Sequence, residues 1–425
     1  MFTFIRQIFN PKNKDLQKKL IFTFLALFIF KVGTTIIVPG IDQDALGTSS
    51  LGFLELLNVM GGGAMGNFSI FALGVMPYIS ASLVTQLLEM DIVPYFSDLA
   101  KQGQVGRNKL NQITRIFGIF LAFVQGYMYS FSYIKGGTVM DYMQFALILT
   151  AGTSLLLWIG DQITAKGFGN GISLIIMTGI IASMPSMFLS AWNGLVDTAT
   201  ITSLIIGLLK FLLYLLVYLG IIVGVIFVQS AERRVPVQYA NKSNSSYGGS
   251  QNYIPFKLNT AGVIPVIFAS ALLSIPSIIS GFVKNESFGA FVNDWIVYTS
   301  PTGFLMYILL IVIFSYFYTY MQIKPNEMAD NLQKNGGYIA GIRPGDDTVK
   351  YISKVLNRIT IVGAIFLAIL AGIPVIFGML SDLSSSVTIG GTGLLIVVGV
   401  ALETYKQLDS ELSTRNYKKG RRNRR

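Results

Sequence analysis

The side chains able to do chemistry are few in this chain, and their scarcity decides the first question. Neither histidine nor cysteine occurs. That removes imidazole and thiolate metal sites, disulfides, and Ser-His or Cys-His nucleophilic catalysis. Inside apolar stretches the ionisable residues reduce to Lys31, Lys210 and Asp161, with Glu89 and Glu403 at stretch ends. Asp161 follows Gly160, a placement that suits an intramembrane aspartyl protease, but that chemistry takes two aspartates and no second one accompanies it. Lys31 and Lys210 carry long stems that let an ammonium reach the edge of an apolar layer, and Glu89 and Glu403 read as solvated ends. No enzyme activity, cofactor or metal is expected. Ion-coupled secondary transport remains the competing class, and it is disfavoured because such transporters keep buried ionisable residues.

What recurs in place of polar chemistry is branched aliphatic side chains beside backbone breaks. Val75 and Ile79 flank one proline, Val263 and Ile267 flank another, and Ile172, Ile176 and Ile396 follow two Gly-x-Gly helix starts. A constriction of such side chains dewets and passes no ions when closed. Because it makes no specific contacts, it suits a substrate of variable sequence better than a chosen solute.

The elements that would position this ring are broken helices. Gly61 to Leu88 opens on three glycines and is interrupted by Pro77, and the segment before it, Gly52 to Met60, is nine residues long. A bilayer core of roughly 30 Å needs about 20 helical residues. So short a segment at membrane depth is tolerated only against protein or a water-filled cavity. The break has a second copy: GVMPYISASL at 74–83 aligns without gaps on GVIPVIFASA at 262–271, with six of ten positions identical, proline included. A fainter echo pairs GNGISLII at 169–176 with GTGLLIVV at 391–398.

With 52% hydrophobic and 12% charged residues over 425 positions, the chain reads as an integral membrane protein. Apolar spans fall near Leu20–Val38, Phe68–Leu88, Ile113–Ile134, Tyr142–Ile159, Ile172–Leu189, Ile201–Val228, Ala261–Phe282, Gly303–Ile323, Ile359–Met379 and Ile389–Leu402, ten in all. No small-residue cleavage site follows the first, which is therefore read as a retained helix. With the N-terminus inside, cytoplasmic segments hold 28 Lys and Arg against two, Lys135 and Lys284, in the outer loops. This positive-inside bias puts both termini in the cytoplasm and accounts for the net charge of +11 without nucleic acid. The expected fold is all-α: two five-helix halves, 20–190 and 201–408, with an amphipathic basic arm at 1–19 and a basic tail at 409–425. Because five is odd, the halves enter the membrane in opposite senses, with the path between them.

Two cytoplasmic loops, 229–258 and 324–358, are longer than topogenic charge requires, and loops of that length are more often docking or functional elements. Arg343, between Ile342 and Pro344 near a Pro-Gly tip, looks positioned. The second span also carries Ser80, Ser82, Thr85 and Gln86, and the third Gln125, side chains that usually bond across helices in apolar surroundings.

The stretches FALGVMPYISASLVTQLL, GFGNGISLIIMTGI, ERRVPVQYA, NTAGVIPVIFAS, IAGIRPGDDT and GTGLLIVV, in this order over nearly the whole chain, resemble the SecY family of protein-conducting channels. The resemblance implies a ten-helix clamshell in the bacterial plasma membrane. It implies a pore ring at Val75, Ile79, Ile172, Ile176, Ile267 and Ile396, and a short re-entrant plug at about 54–67 that includes Leu54, Leu57, Asn58, Met60, Gly62, Gly63 and Met65. It implies a lateral gate between the second and third helices and the seventh and eighth, at Thr85, Gln86, Gln125 and Ala269. Signal peptides, unfolded preproteins and membrane lipids would be the clients of that gate. Implied partners are SecE, SecG, SecA and the ribosome, the last two docking near Arg233, Arg234, Arg343 and Pro344. Two departures stand out: Val75 is smaller than the isoleucine usual there, and the loop 241–251, NKSNSSYGGSQ, is poor in basic residues. The second leaves an accessory paralogue with a restricted substrate set as an alternative to the general channel.

Overall fold

The computed structural model describes residues 14–39, 61–66, 68–89, 93–133, 137–196, 200–239, 252–283, 286–297, 300–380 and 385–422. Residues 1–13 of the expected arm at 1–19, the expected plug positions Leu54, Leu57, Asn58 and Met60, and the loop 241–251 lie outside them.

The first part of the chain forms α1 (Lys14–Gly33), α2 (Met76–Leu88), α3 (Pro94–Lys101), α4 (Gln104–Tyr133), α5 (Val139–Lys166) and α6 (Gly171–Leu195). Then come α7 (Ile201–Ser230), β1 (Glu232–Tyr239), β2 (Tyr253–Lys257), α8 (Ile264–Val283), α9 (Glu286–Trp295) and α10 (Pro301–Gln322). The chain ends with α11 (Pro325–Lys334), β3 (Gly337–Ile339), α12 (Asp346–Leu380) and α13 (Ser385–Arg422). Each apolar stretch of the sequence carries one helix. Among the described residues five helices are long and apolar enough to cross a membrane: Val139–Lys166, Gly171–Leu195, Ile201–Ser230, Pro301–Lys334 and Asp346–Ile373.

The chain is mostly helical, as expected, and its long loops add a three-stranded antiparallel sheet of order β2-β1-β3 that the sequence did not announce. Its strands come from both long loops, so these loops form one body. Val235 and Val237 alternate inward along β1 and pack with Phe256, Leu332, Ile339 and Leu356 in a small core of their own.

The second apolar stretch is corrected. It is not helical from Phe68: residues 68–75 turn, and α2 starts at Met76 with Pro77 in its first turn. Pro77 does not interrupt a helix there, because a first-turn residue has no intrahelical N–H bond to lose. Gly74 supplies the break, with φ +57°. The repeat reproduces this at backbone level. Gly262 has φ +63°, and α8 starts two residues later, at Ile264, with Pro265 next. The N–H of Ile79 then bonds the Val75 carbonyl at 3.1 Å, and that of Ile267 the Val263 carbonyl at 3.4 Å. The fainter echo holds on one side only. Asn170 caps α6 through its side chain, which accepts from the N–H groups of Ile172 and Ser173, whereas Gly391 to Gly393 lie inside α13. At Gly393 the missing Cβ admits Ile180, so glycine there serves close helix packing and starts nothing.

Packing follows the repeat. In the first half α2 packs on α4, α4 on α5, α5 on α6, and α1 on α6; in the second, α8 packs on α10, α10 on α12, α12 on α13, and α7 on α13. The halves meet along α6 against α13 and α7, and again where α8 touches α2 and α4. Beyond these, the Lys19 ammonium bonds Glu411 at 2.7 Å beside a cluster of Leu16, Leu20, Phe168, Leu408 and Leu412.

Candidate functional site

Between the halves lies a cavity of about 320 Å³ whose rim carries Lys257, Glu403 and Lys406 from the basic-loop side and whose lining includes Ile176, Ile267 and Ile396. Each isoleucine comes from a different helix, α6, α8 and α13, and each is nearly buried. Val75, Ile79 and Ile172 belong to the same apolar core or pack against it, outside the cavity lining. Three of the six expected ring residues are thus brought together at one surface, and the other three lie elsewhere in the same apolar core.

The backbone breaks put them there. Asn259, which the sequence reading passed over, donates from its amide nitrogen to the Gly262 carbonyl at 2.9 Å and fixes the turn that aims Ile267. Asn170 does the same work for Ile176 by capping α6. An asparagine beside the glycines at two of the breaks, Asn259 before Gly262 and Asn170 between Gly169 and Gly171, was the available signal. The lining is mixed: Asn170, Ser173, Gln229, Asn259 and Gln322 can hydrogen-bond water, whereas the isoleucine side chains offer no hydrogen bond.

Of the plug positions, Gly62, Gly63 and Met65 are described, in the turn 61–66. Gly62 and Gly63 have φ +70° and +88°, and Met65 is buried. Lys31 does not merely reach for the edge of an apolar layer: its ammonium donates to the Gly62 carbonyl at 3.0 Å. Asp161 is likewise engaged, in an ion pair with Arg115 of α4.

Thr85 and Ala269 are both buried, on α2 and α8, two helices that touch. The expected cross-helix bonds are corrected. Thr85 donates to the Ala81 carbonyl at 2.9 Å and the Gln86 amide to Ser82 Oγ at 2.9 Å, both within α2. A hydroxyl or amide at helical spacing finds its own preceding turn sooner than a neighbouring helix. Gln125 stands half-buried on α4. At the end of α2, burial pushes the Glu89 carboxyl up, and Lys324 and Arg107 draw it back. Lys324 caps α11 in the other half, where its ammonium also bonds Glu327 at 3.0 Å.

The arginines expected to dock partners share the loop body. Arg233 and Arg234 lie on β1, and Arg234 is held in place: it bonds Glu232 at 2.7 Å and lies 4.7 Å above the Tyr253 ring. Arg343 and Pro344 are exposed at a bend set by Gly341 at φ +82° and Gly345 at φ +101°. The Arg343 carbonyl accepts from Thr348 Oγ1 at 2.9 Å, which fixes the backbone and leaves the guanidinium outward.

Comparison with known proteins agrees with this architecture. A curated relative described as protein translocase subunit SecY, from Staphylococcus epidermidis, is 47% identical over 421 residues, covering 96% of each chain. A solved protein-conducting channel aligns with a TM-score of 0.66 at 18% identity, over 93% of this chain and 92% of the other. Sec61 from the canine ribosome-channel complex of the endoplasmic reticulum aligns with a TM-score of 0.60 at 17% identity, again over 93% and 92%. The sequence profile of the SecY family matches residues 69–405, and the chain belongs to that family.

Proposed function

We propose that this chain is the pore-forming subunit of a bacterial Sec translocase, passing unfolded secretory proteins across the plasma membrane and releasing apolar helices sideways into lipid. One observation carries the reading: a cavity whose lining includes isoleucines from α6, α8 and α13 together with Lys257, Glu403 and Lys406, so that both halves contribute to one cavity. The seal is the ring Val75, Ile79, Ile172, Ile176, Ile267 and Ile396, backed by the plug at 54–67. Ten helices cross the membrane in two inverted halves, with both termini in the cytoplasm, as the 28-to-2 distribution of Lys and Arg supports. The seam of α2 and α4 against α8 is the lateral gate. A signal peptide would part it, since no cross-helix bond of Thr85 or Gln86 has to be broken. The loop body around Arg233, Arg343 and Pro344 receives the motor SecA and the ribosome, and SecE and SecG complete the membrane complex. The Sec61 likeness supports a ribosome-facing role for these loops.

The test is reconstitution. Vesicles holding this chain with SecE and SecG, given SecA and ATP, are expected to protect a signal-bearing preprotein from external protease. If the preprotein stays accessible while the vesicles take up a labelled amino acid or sugar on an ion gradient, the chain is a transporter and this reading is wrong.

A further inference from the structure

Lys31 is an ionisable residue inside an apolar span, a placement costly enough to ask what its ammonium does. It lies in the last turn of α1, where helix carbonyls favour a cation. That alone needs no acceptor elsewhere in the chain, yet its Nζ lies 3.0 Å from the Gly62 carbonyl.

Gly62 is also constrained from its other side. It has φ +70°, and a Cβ there would lie 3.0 Å from the Gly179 Cα of α6. Gly179 follows Ile176 by three residues, just under one helical turn, roughly 4.5 Å further from the basic-loop end. The turn 61–66 therefore lies against α6 directly beyond one of the isoleucines that line the cavity. Ala64 and Phe68 are fully buried in the core shared with Ile176 and Ile396. A short backbone pairing ties the chain after α1 to the same region: Val38 N–H bonds the Phe68 carbonyl at 3.1 Å and Ile70 N–H the Ile36 carbonyl at 3.0 Å. Phe30 stacks on Phe71 with ring centres 6.2 Å apart. The outer end of α1 and the turn form one packed unit, and Lys31 is the cation within it.

We propose that Lys31 is a positioning residue of the seal: its ammonium, bonded to the Gly62 carbonyl, holds the turn 61–66 against α6 beyond Ile176 and so keeps the closed constriction backed. This deepens the channel reading and rests on it. A charge-assisted bond to a backbone carbonyl suits a restraint that must release, because the carbonyl belongs to a glycine-rich turn able to swing away without leaving a carboxylate unpaired.

The test compares Lys31→Met, which keeps the stem and loses donor and charge, with Lys31→Arg, which keeps both. Each is reconstituted without substrate, and ion leak from the vesicles is measured beside that of a triple Ile79, Ile267 and Ile396 to serine variant. Lys31→Met is expected to raise the resting leak about tenfold, the equivalent of one charged hydrogen bond, and Lys31→Arg to stay near wild type. A tight Lys31→Met beside a leaking triple variant overturns the role of Lys31 and spares the ring. Equal leaks in Lys31→Met and Lys31→Arg also overturn it, because then the bond is not what matters. A tight triple variant overturns the ring itself, and the role of Lys31 falls with it. Where methionine is not accepted, Lys31→Leu replaces it, and a tight leucine variant counts against the proposal in the same way.

Discussion

Gly74 and Gly262 hold the same left-handed backbone conformation, φ +57° and +63°, each two residues before a helix with proline in its first turn. Nothing lies within 4 Å of where a Cβ would stand at either position. The cost of a side chain is therefore conformational and not steric. Gly74→Ala and Gly262→Ala are each expected to destabilise the protein by about 1–2 kcal/mol, and by similar amounts, as seen in thermal unfolding in detergent. Gly171→Ala should cost more, since its Cβ would collide with the Gly160 carbonyl. A large difference between Gly74→Ala and Gly262→Ala would mean that the two copies are not equivalent.

Truncating the isoleucines separates seal from packing. In a closed core each Ile→Ala costs about 2–5 kcal/mol, part of it for the cavity left behind. Ile176, Ile267 and Ile396 already border a cavity, so as a pore surface their individual losses should fall at the low end. Buried Leu156 and Leu395 provide the comparison. Thermal stability read beside ion leak checks this. Losses as large as those of Leu156→Ala and Leu395→Ala, with no leak, would make the isoleucines ordinary core.

Legibility followed what a residue letter encodes. Gly and Pro report backbone conformation directly, so the repeat at 74–83 and 262–271 was readable and its equivalence carries into the structure. For the proposed ring, the branched residues stand out in the sequence, but which three line the cavity depends on how α6, α8 and α13 cross. The sheet was missed because β3 joins β1 from another loop, and five- and three-residue strands leave little periodicity. Only the inward Val235 and Val237 hinted at it. Lys31 was misread because its acceptor is a backbone carbonyl, which no side chain announces. The bonds of Thr85 and Gln86 turned out to lie within their own helix, because composition does not say which turn satisfies a polar group.

Arg343 is exposed on a fixed bend, so its substitution should change stability by no more than about 0.5 kcal/mol. SecA-driven export should fall nonetheless. Lysine keeps the charge without the planar fork, so Arg343→Lys is expected to impair transport partly and Arg343→Glu severely. Arg234, bonded to Glu232 and lying over Tyr253, should behave differently: Arg234→Ala loosens the β1–β2 pairing and acts through the loop body. Normal ATP-dependent transport by Arg343→Glu in vesicles would remove Arg343 from the motor contact.

The seam makes the strictest demand, because a gate must be closed at rest and open in use. Thr85 and Ala269 are buried on α2 and α8, helices from opposite halves that touch. Gln86 bonds Ser82 in its own helix, so Gln86→Leu removes nothing that spans the seam and should shift opening by about 1 kcal/mol or less. Glu89 differs. Lys324 of the other half attracts it, so Glu89→Gln is expected to ease opening and to improve export of proteins with weakened signal sequences more than Gln86→Leu does. The chain contains no cysteine, so a pair placed at Thr85 and Ala269 can be oxidised without side reactions. Oxidation is expected to block export of a signal-bearing protein and reduction to restore it, followed by protease protection. If the pair crosslinks fully and export continues unchanged, α2 and α8 do not part, and the chain's exit into lipid lies along another helix pair.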